Sequence, residues 1–309
     1  MTIALCLPTL NAAATARPFL DALAMQSLSP LECLAIDSTS ADGTPELLAA
    51  AGLRIHSIPR QTFNHGATRQ LAVELCPDAE IIIFMTQDAV LASPDSLQRL
   101  LDAFADPLVG AAYGRQLPAA DATPIAAHAR LFNYLPQSYV RDKSDIPRYG
   151  IKTAFLSNSF AAYRRSALLA VGGFPTSAIL SEDTMVATRM LLHDWKIAYC
   201  AEATCFHSHN YSMIDEFRRY FDIGVFHGRE PWYLATLGKA EGEGFRFVHS
   251  ELHYLRKKSP SLIPSALLRT LSKFCGYKLG RMERFLPAPL KHRLSMNKGY
   301  WSAIRTKPL

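Results

Sequence analysis

Five short apolar runs, each closed by polar residues and separated from the next by a stretch of helical periodicity, fill the first 115 residues and constrain what this chain can fold into. The runs end at Leu7, Ile36, Ile58, Met85 and Tyr113. Between them lie helix-like segments over about 14–26, 44–51, 66–76 and 95–105. Alternation of this kind builds a mostly parallel, Rossmann-like sheet flanked by helices, so the predicted class is α/β. Such sheets bind ligands at the carboxyl ends of their strands. The residues to inspect are therefore Thr9 and Asn11, the loop Asp37 to Gly43, then Asn64, His65 and Gly66, and finally Thr86, Gln87 and Asp88. Any one of these loops reads equally well as caps and turns. Asp42-Gly43 makes a good turn, and Thr44-Pro45 a good helix start.

Past residue 115 the pattern changes. The stretch from about 116 to 150 contains Pro, Tyr and Arg and reads as a mobile loop over a cleft. Phe155–Tyr163 reads as a strand, and Arg165–Val171 as a short helix ended by Gly172-Gly173. Ser181-Glu182-Asp183 then opens a helix that runs to about Asp194. Two short strands, 196–201 and 203–207, lead to His207-Ser208-His209. From Ile214 onward the chain reads as helical, with breaks near Pro231, Pro260 and Pro287. The expected division is an α/β domain over 1–230 and a basic helical extension over 231–309.

Composition narrows the setting. No basic flank precedes the first apolar run and no small-residue cleavage site follows it, so no signal peptide is expected. No stretch reaches the roughly 18–20 continuous apolar residues of a membrane span. The six cysteines (Cys6, Cys33, Cys76, Cys200, Cys205 and Cys275) form no C-x-x-C pair. That fits a reduced cytoplasmic setting and argues against a cysteine zinc site. Residues 250–309 hold 13 Lys and Arg against Glu251 and Glu283, a net of +11. The whole chain is +6, which leaves −5 for residues 1–249. The basic residues of the tail alternate with Leu, Phe and Tyr. That mixture suits an anionic membrane surface, at about 1 kcal/mol per charge near it. A solvated face or a homo-oligomer contact is the alternative. Nucleic acid is disfavoured, since no nucleic-acid motif accompanies the charge.

Two carboxylates carry the chemistry. Asp88 follows the most apolar run, Ile81–Met85, where a carboxylate is expensive unless it meets water, a cation or a donor. A hard divalent ion shared with phosphates is a natural occupant. Asp183 is expected at the top of the same sheet. One carboxylate for metal and one to take a hydroxyl proton is what in-line displacement at a sugar carbon requires. Acids also sit well at a helix N-terminus, so capping is the plainer role for Glu182 and Asp183.

At this point the sequence resembles the family 2 glycosyltransferases, inverting enzymes of the glycosyltransferase A-type fold. The pieces are LPTLN (7–11), IDSTSADGT (36–44), FNHGATRQ (63–70), MTQDA (85–89), RRSALLAVGGF (164–174) and SEDTMVATRMLLHDW (181–195). They stand in family order over about 210 residues. FNHGATR, FHSHNYS (206–212) and RRYFDIGVFH (218–227) look most like bacterial rhamnosyltransferases.

The resemblance implies Thr9 and Asp37 at the base and ribose of a nucleotide-sugar donor, and Arg69 near the base or diphosphate. Asn11, Asn64, His65 and Gln87 join them as donor-side candidates. Asp88 matches the last acid of the family's D-x-D element, the metal ligand for Mg²⁺ or Mn²⁺, while Gln87 stands where many relatives have another acid. Asp183 matches the general base and Glu182 its support. His207 or His209, with His207 favoured, occupies the region of a third metal ligand; the other then caps a strand. Glu216-Phe217-Arg218-Arg219-Tyr220 echoes a Q-x-x-R-W element, so Arg219 is either a diphosphate or acceptor contact or a helix-surface residue.

The implied reaction moves L-rhamnose from dTDP-β-L-rhamnose to a hydroxyl of a lipid-linked glycan. It would take place at the cytoplasmic membrane face, in surface polysaccharide (O-antigen) synthesis. The rivals are a UDP- or GDP-hexose transferase of the same fold and a catalytically silent glycan-binding subunit. A dehydrogenase is disfavoured because no G-x-G-x-x-G follows the first strand.

Overall fold

The protein, seen in a computed structural model, is described over residues 1–238 and 241–305. It forms two compact units. The first comprises residues 1–117, 134–177 and 182–207, and the second 118–133, 178–181 and Ser208 onward.

The first unit carries a nine-stranded sheet. In chain order its strands are β1 (Ile3–Thr9), β2 (Glu32–Asp37), β3 (Arg54–Ser57), β4 (Ile81–Met85), β5 (Val90–Leu91), β6 (Val109–Leu117), β7 (Tyr139–Arg141), β8 (Phe160–Arg164) and β9 (Lys196–Phe206). β3, β2, β1 and β4 lie side by side and parallel. β8 runs antiparallel between β4 and β6, β9 is parallel to β6, and β5 and β7 pair antiparallel with β9. β4, Ile-Ile-Ile-Phe-Met, is buried at every position. A strand covered on both faces shows this unbroken apolar run rather than alternation.

The helices are α1 (Ala16–Ala24), α2 (Thr44–Ala50), α3 (His65–Leu75), α4 (Ser96–Leu101), α5 (Pro124–Asn133), α6 (Ile146–Tyr149), α7 (Arg165–Ala170), α8 (Glu182–Leu192), α9 (Met213–Arg229), α10 (Pro231–Leu237), α11 (Glu241–Lys258), α12 (Ile263–Arg281), α13 (Ala288–Leu294) and α14 (Lys298–Arg305). The first four follow the segments expected from periodicity. The stretch read as a loop over 116–150 instead contains α5, β7 and α6. The strand expected from Phe155 begins only at Phe160, because residues 155–159 make the turn that places Asn158. The two strands expected over 196–207 are one, β9. A register shift between Gly114 and Arg115 absorbs the extra residues, and Glu202 points outward.

Two local features place the site. Asn64 accepts hydrogen bonds from the Gly66 and Ala67 amides, 3.0 Å each, and so caps α3. Gly66 presses on the chain after the Gly172-Gly173 turn so closely that a Cβ there would lie 1.8 Å from the Pro175 carbonyl oxygen. That contact sets the first turn of α3 beside Glu182.

In the second unit α9 and α12 meet backbone to backbone. A Cβ on Gly276 would lie 2.4 Å from the Phe217 oxygen, and one on Gly280 2.0 Å from the Phe221 oxygen. Glycine is needed there for close approach, and α9 lies with α12 in this second unit, whose longest segment runs from Ser208 onward. Among the described residues no helix is long and apolar enough to cross a membrane.

The Gly66 contact is testable. Gly66→Ala should lower stability by on the order of 1–3 kcal/mol, read as a fall in the urea midpoint, since the added methyl has no space. An unchanged midpoint would mean that α3 and the Pro175 segment do not pack this tightly.

Candidate active site

The polar loops at the carboxyl ends of β1, β2 and β4 are interlocked. Thr9, at the end of β1, donates its hydroxyl to Asp37 Oδ1 at 3.0 Å. Asp37, at the end of β2, also accepts from the Ser40 amide and hydroxyl at 2.8 and 2.6 Å. Thr9 and Asp37 are both buried. Asn11 accepts from the Ala41 amide at 3.0 Å, and its own amide donates to Ser40 Oγ at 2.8 Å. Asn11 and Thr39 have left-handed backbones, with φ of 46° and 59°. Strain of this kind in non-glycine residues persists where the surroundings enforce it, and it clusters at functional loops. Gln87 pairs with the β1 loop through both ends of its amide. Its Oε1 accepts from the Leu10 amide at 2.8 Å and its Nε2 donates to the Leu10 carbonyl at 3.2 Å.

A second cluster forms where α3 meets α8. Arg69 Nη1 lies 2.9 Å from Glu182 Oε1, both side chains buried, and also donates to the His65 carbonyl at 3.1 Å. The resemblance put Arg69 near the base or diphosphate; here it is 4% exposed with its guanidinium on Glu182. Asn158, which sequence reasoning passed over as part of a strand, donates its side-chain amide to Glu182 at 3.0 Å and its backbone amide to Asp183 at 3.2 Å. The Tyr163 hydroxyl fixes Asn158 by donating to its Oδ1 at 2.7 Å. No motif marks an asparagine in a turn before a strand, so nothing in the sequence singled it out.

These contacts set two adjacent carboxyls apart. Burial pushes Glu182 up, but the Arg69 charge, His65 and the Asn158 hydrogen bond outweigh it and hold Glu182 below the usual carboxylate range. Asp183 is pushed up to about 7, first by burial and then by the like charge of Glu182. It still accepts from the Thr184 amide at 2.8 Å and keeps partial exposure. A carboxyl tuned near neutrality is suited to accept a proton at physiological pH.

The third cluster has metal-ligand character. Asp88 Oδ1 lies 3.5 Å from His207 Nε2. The other ring nitrogen of His207, Nδ1, meets Gln116 Oε1 at 2.9 Å, while Gln116 donates its Nε2 to Ser157 Oγ at 3.0 Å. Gln116 thus presents a carbonyl, which calls for a proton on His207 Nδ1 and leaves Nε2 as the atom facing Asp88. Nε2 and the Asp88 carboxylate can thus both offer lone pairs to one cation. Asp88 and His207 begin an Asp/His group able to hold a metal ion. The His209 ring is tilted against Tyr211, with centroids 4.9 Å apart. Gln116 is the residue the sequence did not point to. Arg219 is exposed on α9, with its guanidinium 6.0 Å from the Tyr211 ring centre.

The chain is similar to known proteins along most of its length. The profile of the family described as Glycosyl transferase family 2 matches residues 4–172. The chain is 49% identical over 306 residues to the O-antigen chain rhamnosyltransferase RfbN of Salmonella typhimurium strain LT2, covering 99% of this chain and 98% of that protein. It is 47% identical over 303 residues to the O-antigen chain rhamnosyltransferase WbaN of Salmonella anatum, covering 97% and 96%. Among solved structures, it is similar to the mannosyltransferase PcManGT from Pyrobaculum calidifontis in complex with GDP-Man and Mn²⁺, at 21% identity and TM-score 0.56, over 98% of this chain and 86% of that one. S. aureus TarS 1-349 in complex with UDP-GlcNAc matches at 14% identity and TM-score 0.55, over 92% and 91%. These likenesses fix the fold as the glycosyltransferase A type.

The carboxyl pair has a direct readout. In ¹³C-detected titration one carboxyl should titrate near pH 7, be absent from Asp183→Asn, and move to lower pH in Glu182→Gln, which removes the like charge. Titration of Asp183 in the ordinary carboxylate range would contradict this geometry.

Proposed function

The chain belongs to glycosyl transferase family 2, and we propose that it transfers L-rhamnose from dTDP-β-L-rhamnose to a hydroxyl of a lipid-linked glycan in bacterial surface polysaccharide assembly. The observation that carries the choice of sugar is 49% identity, across nearly the whole of both chains, to a protein named as an O-antigen chain rhamnosyltransferase. The choice of dTDP rests on the family resemblance. Structural neighbours with GDP-Man and UDP-GlcNAc share the fold at 21% and 14% identity and say nothing of this chain's donor.

In this reading the Thr9–Asp37–Asn11 cluster holds the base and ribose, with Asn64 and His65 framing the donor side. Asp183 takes the proton of the acceptor hydroxyl. The acceptor oxygen bonds to the anomeric carbon as the bond from that carbon to the diphosphate oxygen breaks on the opposite face, so the configuration inverts. Glu182, Arg69 and Asn158 do not react: the charge of Glu182 helps keep Asp183 raised, Arg69 holds Glu182 anionic, and Asn158 aims both carboxyls. Asp88, His207 and His209 would hold the divalent cation, which supplies charge to offset the departing diphosphate. One carboxylate with imidazole suits Mn²⁺ better than Mg²⁺. A lipid-linked acceptor puts the enzyme at the cytoplasmic membrane face, to which the basic helical part is drawn.

Asp183→Asn should reduce turnover by roughly 10²–10⁴-fold while nucleotide binding stays intact. Wild-type turnover should rise with pH through about 7, where Asp183 loses its proton, and level off above it. A variant that retains more than about a tenth of the turnover would remove Asp183 from the base role.

Thermal-shift titration with dTDP, UDP and GDP, each with and without Mn²⁺ or Mg²⁺, tests donor and metal together. dTDP should give the largest shift, Mn²⁺ should increase it, and Asp88→Ala should abolish that increase. A full metal response in Asp88→Ala would sink the metal assignment, and a preference for UDP or GDP the donor.

A further inference from the structure

The helical unit exposes an apolar stripe bordered by cations. Glu251 and Glu283 are the two acids among residues 250–309, and both are buried. Glu283 lies 2.8 Å from Arg229 and 2.6 Å from Lys291. Among the described residues, the surface from 252 onward therefore presents basic side chains and no carboxylate, which the sequence count alone does not reveal.

α12 is where this surface becomes specific. Its buried side, Ala266, Gly276 and Gly280, faces inward, with both glycines against the α9 backbone. On the opposite side Leu267, Leu268, Leu271 and Phe274 are exposed by 50, 56, 58 and 56%. Met282 and Phe285 continue the line, exposed by 54 and 67%. Positions 267, 271, 274, 278, 282 and 285 step by three or four, so they form one stripe along the helix and the turn after it. Lys278 Nζ stands 5.4 Å from the Phe274 ring centre, and the Arg284 guanidinium 4.7 Å from that of Phe285. Lys278, Arg281 and Arg284 are all exposed.

A contiguous apolar stripe of this length on a soluble surface marks a docking face. A second copy packed symmetrically on it would set cations against cations. Nucleic acid would answer the charge and leave the leucines and phenylalanines in water. An anionic bilayer satisfies both at once. We propose that α12 lies flat on an anionic membrane surface, with Leu267, Leu271 and Phe274 at the headgroup–acyl boundary and Lys278, Arg281 and Arg284 at the level of the lipid phosphates. The choice of bilayer as partner rests on the reading that the acceptor is lipid-linked.

The test is co-sedimentation of the full chain with vesicles of phosphatidylcholine, with and without phosphatidylglycerol. Wild type should bind the phosphatidylglycerol vesicles, lose most binding between 0.1 and 1 M salt, where the Debye length falls from about 10 to 3 Å, and retain a salt-resistant fraction. Leu271→Ser with Phe274→Ser should remove that fraction and weaken binding at least about tenfold. Lys278→Gln with Arg284→Gln should weaken low-salt binding roughly fivefold per charge removed. These exposed positions lie outside the transfer machinery, so all variants should keep wild-type transfer to a water-soluble acceptor. Undiminished vesicle binding by Leu271→Ser with Phe274→Ser, equal binding to neutral vesicles, or a wild-type dimer that this variant dissociates would each overturn the proposal. Wild-type protein that binds as stated yet transfers no rhamnose would instead discard the proposed reaction and leave the membrane face standing.

Discussion

The Arg69–Glu182 ion pair governs the site. Its two charges lie 2.9 Å apart and almost wholly out of water. Desolvating both is expensive, and removal of either partner would leave a buried uncompensated charge, a loss of about 3–5 kcal/mol. The pair therefore dictates what surrounds it. Gly66 must be bare so that α3 can approach, and Asn158 must turn its amide to Glu182. Glu182 in turn must stay anionic. The next residue, Asp183, bears the consequence, since a fixed negative charge and burial together resist its ionisation. Arg69 holds Glu182 down while burial and the charge of Glu182 push Asp183 up, a pattern that separates a proton acceptor from its electrostatic support.

Much of this was legible in the sequence because apolar runs end where their strands end. β1, β2 and β4 stop at Thr9, Asp37 and Met85, so the polar residues next in line were found from hydrophobicity alone. What periodicity misses is polarity that serves another side chain. Asn158 and Gln116 are buried and touch the candidate base and the candidate metal ligand, yet each is a single amide within apolar surroundings. Arg69 shows the converse. Its place in the FNHGATRQ motif was visible, but whether its guanidinium faces a phosphate or a carboxylate depends on how α3 meets α8, which spacing does not encode. The stretch over 116–150 was opaque for a different reason: α5, β7 and α6 are short, and short elements lack the repeats on which a period is recognised.

The helical unit shows the same limit for charge. The sum of +11 over the last sixty residues is a property of composition. Its physical effect depends on which charges reach the surface, and burial of Glu251 and Glu283 removes both counter-charges from it. Glu283 neutralises Arg229 and Lys291 inside the unit. The remaining cations, among them Lys278, Arg281 and Arg284, face outward beside exposed apolar side chains. The glycines that let α12 sink against α9 have a second consequence: they fix the rotation of the helix, and with it the direction of the stripe.

Gln87 links the donor loops to the metal question. An amide can accept from the Leu10 N–H and donate to the Leu10 carbonyl at once, at 2.8 and 3.2 Å. A carboxylate in its place would set a negative oxygen against that carbonyl, so the residue that holds the β1 loop cannot also be an acid. The proposed ligand set then carries one negative charge, from Asp88, with neutral imidazoles from His207 and His209. A divalent cation held by two acids would be neutralised by its ligands, whereas this set leaves a net positive charge for a diphosphate to meet. The guanidinium of Arg69 lies on Glu182. On the proposed assignment the cation and the nucleotide complete one another's coordination and charge, and neither has strong cause to remain without the other.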